Sequence, residues 1–256
     1  MDRQNKKIFK SFYSEFYDLI YKKKNYEKEC QRILNFLKLK KKLKDILELG
    51  CGTCSHSIFL SKKFNIHAVD KSNEMLDMAK NKLLKKKIKN IKLFRDDIEN
   101  LKFKNVKYDA ILLLFNVIGY ISNLDKFFNN LKKFAKKNTL LIFDFWHQDA
   151  IHFEGPKKIR KSFVLNNQEL LRNSSGKLNK RKKRVEILID TTLKTENKIL
   201  AESSEKHLVR YYNLDFLSET IENSGFELIK YEDFNKLGNL PNKKNWNAYC
   251  VCKFVG

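Results

Sequence analysis

Between residues 46 and 56 the chain reads ILELGCGTCSH, and two chemistries share those residues. Cys51 and Cys54 form a Cys-x-x-Cys pair, the spacing of a thiol redox centre or of half a zinc site. Gly50 and Gly52 form a Gly-x-Gly pair, with which a backbone turns tightly and admits a nucleotide. The thiol reading finds little support. Thioredoxin-like chemistry sets a cis-proline against its cysteines, and the only prolines, Pro156 and Pro241, precede no suitable strand. A structural zinc needs four ligands. Cys250 and Cys252 could supply two, but they sit one residue apart on one face of a regular strand. The cysteines read as small apolar residues, and no metal is expected.

The nucleotide reading uses more of the sequence. A short apolar run, Ile46 to Leu49, leads into the glycines, and a helix starts near Ser55. Asp70 closes the next strand about 20 residues further on, where a carboxylate accepts from ribose hydroxyls. Glu48 stands two residues before Gly50. An acid there suits a ligand with a cationic amino group and repels a pyrophosphate. Position 55, where the dinucleotide fingerprint wants glycine, holds Ser55.

The elements that must position these residues follow from periodicity. Cys30, Ile33, Leu34 and Leu37 predict an amphipathic helix over 26–39. Strands are expected at Asp45 to Gly50, Asn65 to Asp70, Ile91 to Arg95, Tyr108 to Leu114 and Thr139 to Phe145, with helices between them. The fourth is apolar throughout, as befits a central parallel strand. Ser72 is placed to cap a helix carrying Met75, Leu76, Ala79 and Leu83. Leu124, Phe127, Phe128, Leu131 and Phe134 mark another. Such alternation builds a doubly wound parallel sheet. It breaks after Trp146. From Ser162 to Tyr212 there is no good amphipathic helix; Val185, Ile187 and Ile189 alternate with Glu186, Leu188 and Asp190, and about His207 to Tyr212 reads as extended, which predicts a small antiparallel β insertion. Asn213 then caps a helix with Phe216, Leu217 and Ile221 on its apolar face and Gly225 as its stop. Phe226 to Tyr231 and Tyr249 to Phe254 complete a seven-stranded, mostly parallel α/β sheet. The expected division is 1–148 for a lid segment and nucleotide-binding core, 149–212 for the insertion over the cleft, and 213–256 for the return to the core.

Composition bounds the partners. The 256 residues are 42% hydrophobic and 12% aromatic, ample for a packed core. Neither a membrane span nor a signal-peptide pattern is evident, so a cytoplasmic protein is expected. The formal charge is +23, yet eight of the 53 cationic residues are Arg. Nucleic-acid readers favour Arg for its planar fork. The lysine excess with abundant Asn and Ile fits an AT-rich genome as well as it fits a field that draws a phosphate-bearing partner. The densest run, KLNKRKKR (177–184), reads as a solvated hairpin tip.

Four stretches carry a resemblance: Glu48 to Thr53, Val69 to Met75, Arg95 to Ile98, and Tyr108 to Leu112. In order and placement they resemble the motif series of class I S-adenosylmethionine-dependent methyltransferases, with Cys54 where a third glycine often sits. Most of the chain is more closely similar to the methyltransferases that N-methylate amino sugars attached to nucleotides. That similarity runs through Phe16 to Tyr21, Tyr26 to Glu29, Thr53 to His56, Phe115 to Tyr120, Phe145–Trp146 and Glu202 to Tyr212. In some of those proteins the residue matching Tyr120 is His; here it is Tyr, which departs from an imidazole-base mechanism.

The resemblance implies a set of roles. Gly50, Gly52 and Glu48 border the methionine part of S-adenosylmethionine, and Asp70 binds the ribose diol. Met75 packs near the adenine, whose edge is read by Asp97, in preference to Asp96, and by the Ile98 backbone. Tyr17, Tyr21, Lys71 and Phe115 complete the cofactor set. Methyl transfer needs in-line approach in a dry site and an unprotonated acceptor. Tyr17, on the lid, and Tyr120 are the catalytic candidates. Trp146, His207 and Arg210 are the substrate candidates. His207 and Arg210 differ by three, so a strand sends them to opposite faces. Arg210 is preferred there, because a guanidinium suits phosphate or carboxylate. The expected activity is methylation of a small molecule, the amine of a nucleotide-linked amino sugar. The alternatives are a small-molecule O-methyltransferase, an RNA methyltransferase using the basic run, and a cofactor-binding regulator. A homodimer through the insertion stays open.

Overall fold

The computed structural model describes residues 9, 11–102, 106–165 and 167–256. The larger of two sheets contains β1 (Asp45–Leu49), β2 (Asn65–Asp70), β3 (Ile91–Arg95), β4 (Tyr108–Leu113), β5 (Ala135–Trp146), β10 (Phe226–Asp233) and β11 (Asn247–Phe254). Their order is β10-β11-β5-β4-β1-β2-β3. Neighbours pair in parallel from β3 across to β5, and β11 runs antiparallel to both β5 and β10. The second sheet is an antiparallel meander of β6 (Ile159–Leu165), β7 (Gln168–Asn179), β8 (Arg184–Lys194) and β9 (Ile199–Arg210). The helices are α1 (Ser11–Glu15), α2 (Tyr17–Ile20), α3 (Tyr26–Leu37), α4 (Ser55–Leu60), α5 (Asn73–Lys85), α6 (Leu124–Leu131), α7 (Gln148–Glu154) and α8 (Leu214–Asn223).

The apolar run of β4 does what its sequence demands. All six of its residues are buried. Ile111 and Leu113 join the cluster under α6 and α8, while Ala110 and Leu112 join the one under α3 and α5. Each such Leu or Ile, fully buried, stabilises by about 1.5–3 kcal/mol. The caps form as expected. Ser72 Oγ accepts from Met75 N at 3.2 Å, and Asn213 Oδ1 accepts from Phe216 N at 3.1 Å. Gly225 ends α8 with φ +72°, a left-handed conformation that glycine adopts without strain.

Two local expectations change. Strand β5 begins at Ala135 rather than Thr139. Its register against β4 slips after Tyr108, and Asn138 takes φ +65°, so an irregular pairing carries the strand past polar residues that read as a loop. Phe216 is not on the apolar face of α8. Leu217, Thr220 and Ile221 form the buried stripe, and Phe216 lies off it, 45% exposed, with the Lys183 ammonium 5.5 Å from its ring centre. Residues 180–183, inside the basic run, are the exposed tip between β7 and β8. Among the described residues no helix is long and apolar enough to cross a membrane.

Candidate active-site cleft

β1 and β4 lie side by side, yet the chain leaves them toward opposite edges of the sheet. Such a switch point opens a crevice at the strands' C-terminal ends. A cleft of about 620 Å³ occupies it, walled also by the second sheet and the N-terminal segment. That volume falls in the range of roughly 300–1,000 Å³ usual for small-molecule sites.

The glycine loop forms one end. Gly50 N and Cys51 N both donate to Val69 O, at 2.8 and 3.0 Å, which folds the loop over β2. Gly50 (φ +70°) could not carry a side chain, since a Cβ would meet both Val117 methyls at 2.7 Å. Gly52 (φ +53°) has nothing within 4 Å of a Cβ position, so open cleft lies before it. Asp70 accepts from Gly52 N at 2.8 Å and from Ser72 N at 2.9 Å. The Lys71 backbone N–H is a third donor, so of the carboxylate's roughly four acceptor positions one stays for a further donor such as a ribose hydroxyl. Burial raises the Asp70 carboxyl above the ordinary Asp range. Cys54 is buried with φ +60°, which explains why glycine suits that place. All five cysteines are free and buried, and burial pushes the Cys51 thiol well up. The backbone of this loop faces the cleft, and its sulfurs pack.

The N-terminal segment closes over the loop. Thr53 Oγ1 donates to Asp18 Oδ1 at 2.7 Å, and Lys82 Nζ reaches Asp18, Thr53 and Ser55 at 3.0–3.1 Å. This network holds Tyr17 and Tyr21, rings 4.7 Å apart, against the cleft, with Phe115 5.1 Å from Tyr21. Phe115 (φ +69°) and Asn116 (φ +56°) are successive left-handed residues past β4. Strain of this kind persists where surroundings enforce it. Here Asn116 N donates to the buried Asp144 at 2.9 Å, and burial pushes that carboxyl up to about 6.

The second sheet supplies the far wall. Arg172 is 9% exposed and donates to Ser174 Oγ at 3.3 Å and to the Tyr13 and Tyr21 hydroxyls. Its Nε has no partner, and among the described residues no carboxylate pairs with it. Trp146 packs edge-on against Trp246, centroids 5.2 Å apart.

Of the residues expected at the site, Tyr17, Tyr21, Gly50, Gly52, Asp70, Lys71, Met75, Ile98, Phe115, Tyr120, Trp146 and His207 line this one cleft. Three do not. Glu48 points behind the loop, 2% exposed, and takes the Ser57 hydroxyl; burial raises its carboxyl. Asp97 folds back to accept from Glu99 N at 3.0 Å, and Ile98 and Glu99 border the cleft instead. The preference for Arg210 over His207 is reversed. Strand alternation does separate them, but His207 and Val209 face the cleft while Arg210 borders a smaller hollow beside Tyr211 and Phe216. Arg172, Tyr13 and Asn116 went unforeseen. Arg172 had a signal: it shares the buried face of β7 with Leu170, two residues earlier.

Comparison with known proteins agrees with this geometry. Residues 46–138 match a family model described as a methyltransferase domain. Over 115 residues the chain is 33% identical to malonyl-[acyl-carrier protein] O-methyltransferase 2 of Ilyobacter polytropus, covering 43% of this chain and 42% of that one. The chain thus matches less than half the length of this curated relative. Two solved structures share nearly the whole fold. An S-adenosylmethionine-dependent methyltransferase from Clostridium acetobutylicum superposes with TM-score 0.79 at 22% identity, over 96% of this chain and 98% of that one. SAM-bound CalS10, an amino pentose methyltransferase from Micromonospora echinaspora involved in calicheamicin biosynthesis, gives 0.73 at 14% identity, over 96% and 99%. Residues 46–138 thus resemble a methyltransferase domain, and the chain shares the fold of these S-adenosylmethionine-dependent methyltransferases.

Proposed function

We propose that this chain is an S-adenosylmethionine-dependent methyltransferase whose acceptor is the amine of a nucleotide-linked amino sugar. The observation that carries the reading is the single cleft joining the Gly50–Gly52 loop and Asp70 at one end to Tyr120, Trp146 and Arg172 at the other. The residues at the first end fit the cofactor. Gly52 leaves its approach open, Asp70 keeps acceptor capacity for a ribose hydroxyl, and Met75 and Ile98 offer apolar packing for a base. Bound S-adenosylmethionine would supply an electrophilic methyl group for an amine lone pair. The chain's own part is to position and to dry the site. Tyr17 and Tyr21 close over it from the N-terminal segment. Burial keeps Tyr17 a neutral phenol, able to accept a hydrogen bond from an amine and so orient its lone pair.

At the second end, a buried guanidinium with no carboxylate partner among the described residues calls for an anion, because an uncompensated buried charge is costly. A sugar nucleotide brings a diphosphate to such a site, and its amine then lies toward the tyrosines. The amino pentose methyltransferase of like fold supports this choice. A small-molecule O-methyltransferase is the second reading, favoured by the 33% match to an O-methyltransferase.

A mass-spectrometric acceptor screen tests the proposal. The purified chain with S-adenosylmethionine is expected to add one or two methyl groups to a UDP- or dTDP-linked amino sugar. Methylation of a carboxylate or hydroxyl acceptor, or of RNA, with all amino sugars untouched, would overturn the amine assignment.

A further inference from the structure

Tyr120 stands where some of the amino-sugar methyltransferases that the chain resembles carry His, and an imidazole stands directly behind it. Tyr120 Oη and His207 Nδ1 are 2.9 Å apart, and His207 Nε2 lies 3.1 Å from Glu205 Oε2. The two rings meet at 67° with centroids 6.0 Å apart. We propose that the acceptor's proton leaves through the Tyr120 hydroxyl to His207, and that Glu205 fixes the imidazole in the tautomer that can receive it. The proposal rests on reading this cleft as a methyl-transfer site.

The arrangement is built into the join of the two sheets. Glu205 and His207 stand two apart on β9 and so share a face. The turn after β4, Val117–Tyr120, brings Tyr120 to them. Gly119 makes the approach feasible, since a Cβ there would lie 2.7 Å from Val209 Cγ1 and 3.1 Å from the Arg210 carbonyl oxygen. His207 is 2% exposed and Glu205 7%. The Phe9 backbone N–H donates to the same carboxylate oxygen at 3.2 Å, and the Phe9 ring packs 5.2 Å from the imidazole. Among the described residues, the other groups facing His207 include Tyr13 from α1, centroids 6.4 Å apart, and apolar Ile187, its cross-strand partner on β8. The Tyr13 hydroxyl is engaged with Tyr21 at 3.2 Å and with Arg172.

The direction of the chain follows from what each group can do. An ionised carboxylate only accepts, so Nε2 carries the proton toward Glu205. Nδ1 then holds a lone pair, and the Tyr120 O–H donates to it. Burial, with Tyr21 and Glu205 adding to it, raises the Tyr120 phenol far above its ordinary range. The phenol therefore stays neutral and transmits a proton instead of removing one alone. An acceptor that binds as an ammonium must lose a proton before its nitrogen can attack. Its N–H bond breaks with the electron pair staying on nitrogen, and the proton bonds to Tyr120 Oη. The hydroxyl's own proton passes to Nδ1, giving an imidazolium paired with the Glu205 carboxylate. Loss of that proton to solvent restores the starting state. Nothing is oxidised or reduced. His207 acts through Tyr120, and Glu205 through His207, so both are positioning residues for a proton that Tyr120 touches.

Nitrogen-15 NMR of histidine-labelled protein tests the first half without any acceptor. The His207 signal is identified among the five histidines by its absence in His207→Gln. The Nε2–H tautomer is expected in wild type, with the preference lost in Glu205→Gln. An Nδ1–H tautomer would overturn the relay, because that nitrogen would have no lone pair for the proton. Kinetics on the amino-sugar acceptor test the second half. His207→Gln is expected to lower kcat about 100-fold, in line with general-base contributions. KM and the affinity for S-adenosylhomocysteine should stay within about threefold. The acid limb of the kcat–pH profile should move to higher pH, because without the relay only acceptor that enters already neutral reacts, which a packing role would not cause. Tyr120→Phe combined with His207→Gln should be no slower than the worse single variant, since one proton path fails only once. Unchanged kcat in His207→Gln, or multiplying losses, would overturn it. If His207→Gln loses S-adenosylhomocysteine binding and so its fold, Tyr120→Phe and the tautomer still decide. A wild type that binds S-adenosylhomocysteine but methylates nothing would count against the function and leave the tautomer result standing.

Discussion

The seven-stranded sheet and the four-stranded sheet treat burial differently. In the first, β4 is buried at every residue, and apolar clusters fill both faces. In the second, Leu170, Val185, Ile189 and Val209 are buried, while Ile159, Val164, Leu188 and Ile199 are more than 40% exposed. One sheet is a core. The other is a wall, packed on one side and open on the other. The cleft residues divide along the same line. The glycine loop and Asp70 belong to the core, whereas Arg172, Glu205 and His207 come from the wall. Proposed cofactor binding therefore depends on one sheet and proposed acceptor chemistry on the join.

The largest contrast expected is in stability. Leu112→Ala, at the centre of the core sheet, should cost about 3 kcal/mol in urea unfolding, whereas Leu188→Ala, 43% exposed on the wall, should cost under about 0.5 kcal/mol. Equal costs would erase the distinction between core and wall. Next, Asp70→Ala should weaken S-adenosylhomocysteine about 100-fold by calorimetry, because charge-assisted hydrogen bonds contribute about 1.5–3 kcal/mol. Arg172→Met should leave that affinity within about twofold and raise the KM for a sugar-nucleotide acceptor about 30-fold, the low end for truncating a buried charge partner. Loss of cofactor binding in Arg172→Met would show that the two ends of the cleft are not separable.

Asp144 sharpens the core side. Its carboxyl is raised from the ordinary Asp value to about 6 by burial, so the folded state holds a proton that the unfolded state has released between about pH 4 and 6. Stability contributed by that proton is present at acid pH and is lost as pH rises through 6. Asp144→Asn keeps an acceptor for the Asn116 N–H. It should raise stability at pH 8 by about 2 kcal/mol, with little change at pH 4. An unchanged pH dependence of the melting temperature would show that this carboxyl is ionised at no cost.

What could be read ahead of the coordinates follows the same division. The order of strands and helices, the caps at Ser72 and Asn213, and the meeting of Gly50, Gly52 and Asp70 all rest on local rules. Those rules are the period of apolar residues, the conformational freedom of glycine, and a carboxylate at a strand end. Misreadings arose where local rules are silent. The start of β5 depends on an irregular pairing with β4. The direction of Glu48 depends on Ser57 waiting behind it. Whether His207 or Arg210 enters the cleft depends on which face of β9 meets the turn at Gly119.

The sequence by itself determined a doubly wound core with a nucleotide-type loop and a β insertion, because backbone preference and hydrophobic period act within a few residues. It also put His207 and Arg210 on opposite faces of one strand. Only the tertiary structure decided that the His207 face closes on Tyr120 and that Arg172 is buried beside Tyr13 with no carboxylate partner among the described residues. Both facts come from packing one sheet against another across residues far apart in the chain, and no local spacing encodes the side on which two sheets meet.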